Sequence, residues 1–156
     1  MCRMIRTAAC LTILTVLVAS TAMPAFAADW NEDGIQWREY DDALVEAKKD
    51  RKPVCLVIYT NWCAHCKNYS RVFHVREVVE ASRQFVMVRA NADYEPSLSR
   101  KYAIDGDYFP RTLFLRPDGT PAPRIHAPRA RYRYFYDEDN PASLLAGMRA
   151  AGNLAR

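Results

Sequence analysis

The chain has 156 residues, half of them hydrophobic, with 22 Lys and Arg against 18 Asp and Glu and a formal net charge of +4. Arg3 and Arg6 supply two of those charges and no acid precedes Ala28, so residues 28–156 carry only +2, too small an excess to argue for nucleic acid. Cys2 and Cys10 stand near the start; Cys55, Cys63 and Cys66 remain, too few for a scaffold of several disulfides.

Residues 1–27 have the layout of a secretory signal peptide. Arg3 and Arg6 open it, Ala8 to Ala19 form an apolar run, and Ala25-Phe26-Ala27 offers a small-residue cleavage site. The run is well short of the ~20 residues that span a bilayer as a helix. An uncleaved anchor is the rival reading. Cys10 does not follow the run, so it lacks the placement of a lipoprotein acylation site. Residues 28–156 are then one domain with one core, exported to a periplasm or secreted.

Within that domain, helix and strand signals alternate. Asp41 or Asp42 can cap a helix running to about Asp50, with Ala43, Leu44 and Ala47 at helical spacing, and Pro53 stops it. Val54 to Tyr59 is an unbroken apolar run that suits a central strand buried on both faces. Cys63 to Ser82 reads as a helix with a break near His74, and Phe85 to Val88 as the next strand. Pro96 fits the first turn of a short helix ending near Tyr102. Thr112 to Leu115 is a strand, and Arg116-Pro117-Asp118-Gly119 is a turn leading to another. Pro141 opens a last helix, with Leu144, Leu145 and Met148 inward.

The chemistry concentrates at Cys63-Ala64-His65-Cys66, which follows a strand and opens a helix. A helix start offers free N–H groups and the positive end of the dipole, and both favour the thiolate of Cys63, the form that attacks disulfides. Cys66 lies one helical turn inward, where it can resolve a mixed disulfide. His65 can add positive charge or a hydrogen bond near Cys63. Zinc sites use the same cysteine spacing, but they normally need four ligands, and here only His65, His74 and His126 accompany the pair.

At these residues the chain resembles the thioredoxin superfamily. Lys52-Pro53-Val54 and Trp62-Cys63-Ala64-His65-Cys66-Lys67 carry the likeness, and Phe109-Pro110 stands where that family has its cis-proline. Gly106-Asp107-Tyr108-Phe109-Pro110-Arg111, Tyr134-Phe135-Tyr136 and Gly147-Met148 are closer to the small single-domain oxidoreductases of the endoplasmic reticulum, including the anterior-gradient group. The resemblance runs from about Ile35 to Ala151. It implies an α/β thioredoxin fold, a central mixed sheet flanked by helices, and a protein dithiol-disulfide oxidoreductase. Cys63, Cys66 and His65 are its expected catalytic residues, and Trp62, Phe109 and Pro110 its expected substrate surface. No cofactor and no metal are expected, since the cysteine pair itself carries the electrons.

Two departures bear on mechanism. The family's buried strand acid, six residues before the first cysteine, is Val57 here, so another group or water must move the proton of the buried thiol; Arg89 and Tyr59 are the candidates. The Ala-His dipeptide resembles protein disulfide isomerase and the periplasmic disulfide oxidases. Such centres are more oxidising, at about −180 and −120 mV, against about −270 mV for thioredoxin.

The remaining residues read more plainly. Cys55 lies inside the buried strand and behaves as a small apolar side chain. His74 is a satisfied helix residue. Tyr132, Tyr134, Phe135 and Tyr136 form a strand face or core edge, with an aromatic partner surface as the alternative. Arg124, Arg129, Arg131 and Arg133, with His126, have no acid between Asp118 and Asp137 and form a solvated basic loop, with an acidic-partner site as the alternative.

The expected partners are exported proteins with thiols or disulfides and one redox partner protein; a membrane enters only through that partner. An electron-relay thioredoxin domain is the alternative within the enzyme class. A metal (copper) chaperone or a chaperone of folding clients is the alternative outside it.

Overall fold

A computed structural model describes residues 28–154, so the signal-peptide reading of residues 1–27 lies outside the described residues. The elements run β1 (Trp37–Arg38), α1 (Tyr40–Asp50), β2 (Val54–Tyr59), α2 (Ala64–Ser70), α3 (Arg76–Ser82), β3 (Val86–Asn91), α4 (Pro96–Lys101), β4 (Arg111–Leu115) and α5 (Ala142–Ala151). The sheet order is β1-β3-β2-β4. β3 is parallel to β1 and β2, and β4 is antiparallel to β2. This mixed sheet between helices is the thioredoxin fold.

β2 is the central strand because nearly every side chain in it is apolar; only Tyr59 keeps partial exposure. Its period of two divides the core. Cys55 and Val57 face a layer that holds Tyr69, Phe73, Val78, Leu144 and Met148, while Val54, Leu56 and Ile58 face Ala43, Ala47 and Tyr102. The cysteine-bearing helix α2 therefore shares a face with α3 and α5, with α1 on the other. α5 approaches β4 at Gly147, where a Cβ would lie 2.8 Å from both Phe114 and the Tyr136 hydroxyl. Any larger residue there would push the helix off the sheet.

The break near His74 is a 3₁₀ turn, Arg71–His74, after which Val75 is extended and α3 begins. The preceding segment secures this turn. Asn31 Nδ2 donates to Phe73 O at 2.8 Å, and Trp30 packs on Phe73 and Tyr59 at 5.6 and 5.0 Å between ring centroids. Each such aromatic pair is worth roughly 0.5–1.5 kcal/mol beyond its buried area.

Three local features depart from what the sequence suggests. α1 ends at Asp50 as expected, where Arg51 turns left-handed (φ 53°) and the Lys52 N–H caps Ala47 O. Its N-cap, however, is Glu39, with no side-chain cap bond, and Asp41 and Asp42 lie inside its first turn. β1, two residues long, carries no sequence signal and is held by pairing with Met87 and Val88. The strand expected after the Arg116–Gly119 turn is only a bridge between Leu115 and Pro121, continued by one hydrogen bond from Ala122 N to Phe114 O. Pro121 and Pro123 have no N–H to extend the ladder, so the chain peels away. Tyr134 and Tyr136 accordingly point into the core from irregular backbone and not from a strand.

Candidate active site

β2 delivers the chain to Thr60, and the turn through Trp62 places Cys63 at the N-cap of α2, with φ −78° and ψ 116°. Cys63 keeps 8% exposure and Cys66, one turn on, has none. Both are free thiols. Burial pushes the Cys66 thiol far above the ordinary thiol range; a backbone hydrogen bond from Thr60 opposes this, while Cys63 and the charge of Glu138 add to it. The two thiols thus differ: Cys63 keeps a little access to solvent, while burial favours the protonated form of Cys66.

The facing wall is the loop before β4. The Phe109–Pro110 peptide bond is cis. Cys63 Sγ lies 3.7 Å from Phe109 O, and Trp62 sets its edge against the Phe109 ring at 6.0 Å. Trp62 is 69% exposed and donates from Nε1 to Asp93 Oδ1 at 3.2 Å. The structure thus gathers Trp62, Cys63, Phe109 and Pro110 at one end of the sheet.

Arg111, the first residue of β4, fastens this loop from beneath. Its side chain is wholly buried. Nη1 donates to Gly106 O and Asp107 Oδ1 at 3.0 and 2.8 Å, and Nη2 donates to the carbonyl and hydroxyl of Ser99 on α4. Its guanidinium also lies 5.2 Å from the centroid of the Phe109 ring. Beside it, Tyr108 Oη donates to Asp105 Oδ1 and accepts the Tyr134 N–H.

His65 is 62% exposed, and its hydrogen bond goes to Glu138: Nδ1 lies 3.0 and 3.1 Å from the two carboxylate oxygens. Glu138 is the more buried partner, at 18%. Phe135 packs edge-on against the imidazole at 5.5 Å, and Arg129 lies over Phe135 at 4.7 Å. The proline- and arginine-rich segment therefore reaches the redox helix. The sequence names Arg111 and Phe135 only within segments that resemble the family, with no role for either, and does not mark Glu138. Glu138 sits in an acidic run that looks solvated, and no local pattern marks a residue whose partner is 73 positions away.

Val57 is fully buried and apolar, so β2 supplies no acid to the pair. Arg89 is committed elsewhere: it pairs with Glu32, whose carboxyl it lowers, and lies over Trp30, Trp37 and Tyr59. Tyr59 belongs to that same cage. Cys55 is buried, and desolvation pushes its thiol far up. His74 leaves the core and faces Asp29 at 3.3 Å. Among the described residues, no group of three His, Cys, Asp or Glu side chains is placed to hold a metal.

A thioredoxin-like family model matches residues 36–117. Human anterior gradient protein 2 homolog is 28% identical over 128 residues, covering 81% of this chain and 71% of that protein. Anterior gradient protein 3 of Xenopus tropicalis is 29% identical, covering 80% and 76%. In structure, the DsbH oxidoreductase superposes with a TM-score of 0.59 at 21% identity, covering 90% of this chain and 95% of that one. A thioredoxin from Thermus thermophilus gives 0.56 at 19% identity, covering 75% and 86%. These two solved structures share the fold, while the family match takes in β1 to β4 and the cysteine pair. The chain belongs to the thioredoxin-like family.

Proposed function

We propose that the protein is an exported thiol-disulfide oxidoreductase that forms, reduces or isomerises disulfides in exported proteins through Cys63 and Cys66. The observation that carries this reading is the asymmetry of the two thiols: Cys63 at the rim against Phe109 O, Cys66 buried one turn below. In the oxidising direction a client thiolate attacks Cys63 Sγ, the Cys63–Cys66 bond breaks, and Cys66 leaves with the electron pair and takes a proton. A second client thiolate then attacks the client sulfur of the mixed disulfide, and Cys63 leaves as a thiolate. The client has lost two electrons, which the pair now holds as a dithiol. Reduction runs the same steps backwards, beginning with Cys63 thiolate. Trp62, Phe109 and Pro110 form the surface on which a client strand would lie. Export rests on the charge, apolar run and Ala-Phe-Ala site of residues 1–27.

The test is trapping. Purified from the exported fraction, a Cys66→Ala chain should start at or near Ala28 and carry clients as mixed disulfides through Cys63 on non-reducing gels. Cys63→Ala should carry none. Trapping that requires Cys66 would reverse the order of attack, and no trapping by either variant would remove the reading. The apolar Val57 favours one second reading, an electron relay that keeps other thiols reduced. It predicts a potential near thioredoxin's, about −270 mV.

A further inference from the structure

The segment that follows β4 has no place in the attack and resolution steps, yet its acidic end is joined to the redox helix. We infer that Glu138 is a positioning residue of the redox centre: it anchors His65 by both carboxylate oxygens, sets its own negative charge against the helix that carries the cysteine pair, and so restrains how oxidising the pair is. This rests on the reading of Cys63 and Cys66 as a redox couple.

Four observations carry it. First, the contact is specific: Nδ1 of His65 lies 3.0 and 3.1 Å from the two oxygens of Glu138. Second, the carboxylate is the more enclosed member of the pair, at 18% exposure against 62%, so it is less screened than a surface acid. Third, the geometry is braced: Phe135 holds the imidazole from its edge, and Arg129 covers Phe135. Fourth, the charge of Glu138 is felt at Cys66, where it opposes ionisation.

The direction of the effect follows from which redox state each charge favours. Thiolate exists only in the reduced pair. A cation near the cysteines stabilises that state and makes the disulfide easier to reduce; an anion does the opposite. Glu138 is of the second kind, and its carboxylate occupies Nδ1 of His65, the one side chain of the Ala-His dipeptide that can donate. The apolar Val57 leaves β2 without an acid, while Glu138 brings a carboxylate to His65, the residue before Cys66.

The experiment is a glutathione titration of the wild type and Glu138→Gln, with thermal midpoints as a fold control. Gln keeps the size and can still accept from His65, so charge alone is removed. The expected result is that Glu138→Gln is reduced about three- to tenfold more readily at equilibrium; tenfold is about 30 mV for this two-electron couple. Glu138→Asp keeps the charge, and its equilibrium should stay closer to the wild type; this variant also serves if Gln disturbs folding. Repeating Glu138→Gln in a His65→Ala background should give a smaller shift, because the part exerted through His65 is gone. An equilibrium unmoved by Glu138→Gln, or moved toward harder reduction, overturns the inference while leaving the oxidoreductase reading intact. A wild type with no reversible Cys63–Cys66 couple would instead defeat the reading beneath it.

Discussion

The two sides of the redox centre are built in opposite ways. The β2–α2 side is continuous chain: a buried strand, a short turn, and two cysteines on the first turn of a helix. The opposing side is assembled from afar, with Phe109 meeting Cys63 across 46 positions and Glu138 meeting His65 across 73. Local chain places the nucleophile; tertiary contacts decide what surrounds it. A residue on the first side is therefore expected to change whether chemistry occurs, and one on the second how firmly and at what potential it occurs.

The largest test of that division is Arg111→Met. The guanidinium joins the Gly106–Asp107 turn to Ser99 from a wholly buried position. Asp107 is 66% exposed and returns to water, so the loss comes from the Ser99 and Gly106 acceptors left without their donor. At about 1–3 kcal/mol for each buried group, about 3 kcal/mol in all is expected. The carbonyl of Ser99 is left without its donor, which water must replace. Denaturant unfolding measures the loss, and Arg111→Lys should recover only part of it, since a single ammonium cannot reproduce the fork. A loss below about 1 kcal/mol would mean that the opposing wall stands without Arg111.

His65→Ala acts at the junction of the two sides. It removes the group that favours thiolate and leaves the Glu138 charge uncompensated, so both consequences disfavour the reduced pair. The potential should become more negative by some tens of millivolts, where ~30 mV is ~1.4 kcal/mol. The same glutathione titration reads it. A shift toward stronger oxidation would show that His65 does not favour the reduced state.

The same contrast explains what could be read from the sequence. Val54 to Tyr59 forms a strand over the expected residues because an unbroken apolar run can only be buried on both faces. The helix break near His74 and the turn at Gly119 were equally local. β1 was invisible because two residues carry no period; its place comes from Met87 and Val88. The missing strand after Thr120 came from giving the turn more weight than the proline spacing that follows it. The burial of Arg111 was not legible because a strand-initial arginine ordinarily lies at the surface, and only the convergence of Gly106, Asp107 and Ser99 satisfies it inside. Glu138 escaped because an acidic run beside a proline reads as a solvated loop until His65 is found against it.

The smallest expected effect concerns Cys55, which shares a strand with the approach to the redox centre and yet should take no part in it. Its side chain is fully buried on the face that carries Tyr69 and Val57, eight positions before Cys63. Reactivity needs thiolate and access; burial removes the second and, by pushing the thiol far above its ordinary range, also the first. In the chain from Ala28 onward, thiol titration of the reduced native protein should therefore modify Cys63 first and leave Cys55, like the equally buried Cys66, unmodified until denaturant releases it. Cys55→Ala removes one sulfur from a packed layer, a change of the size of a lost methylene or two, so about 1 kcal/mol of stability should go. Turnover should stay within about twofold of the wild type, because the Cys55 thiol has neither the access nor the thiolate that the exchange needs. Unchanged stability with a large loss of turnover would reverse the assignment. It would make Cys55 a third redox thiol, and would mean that the β2–α2 side does more than place the pair.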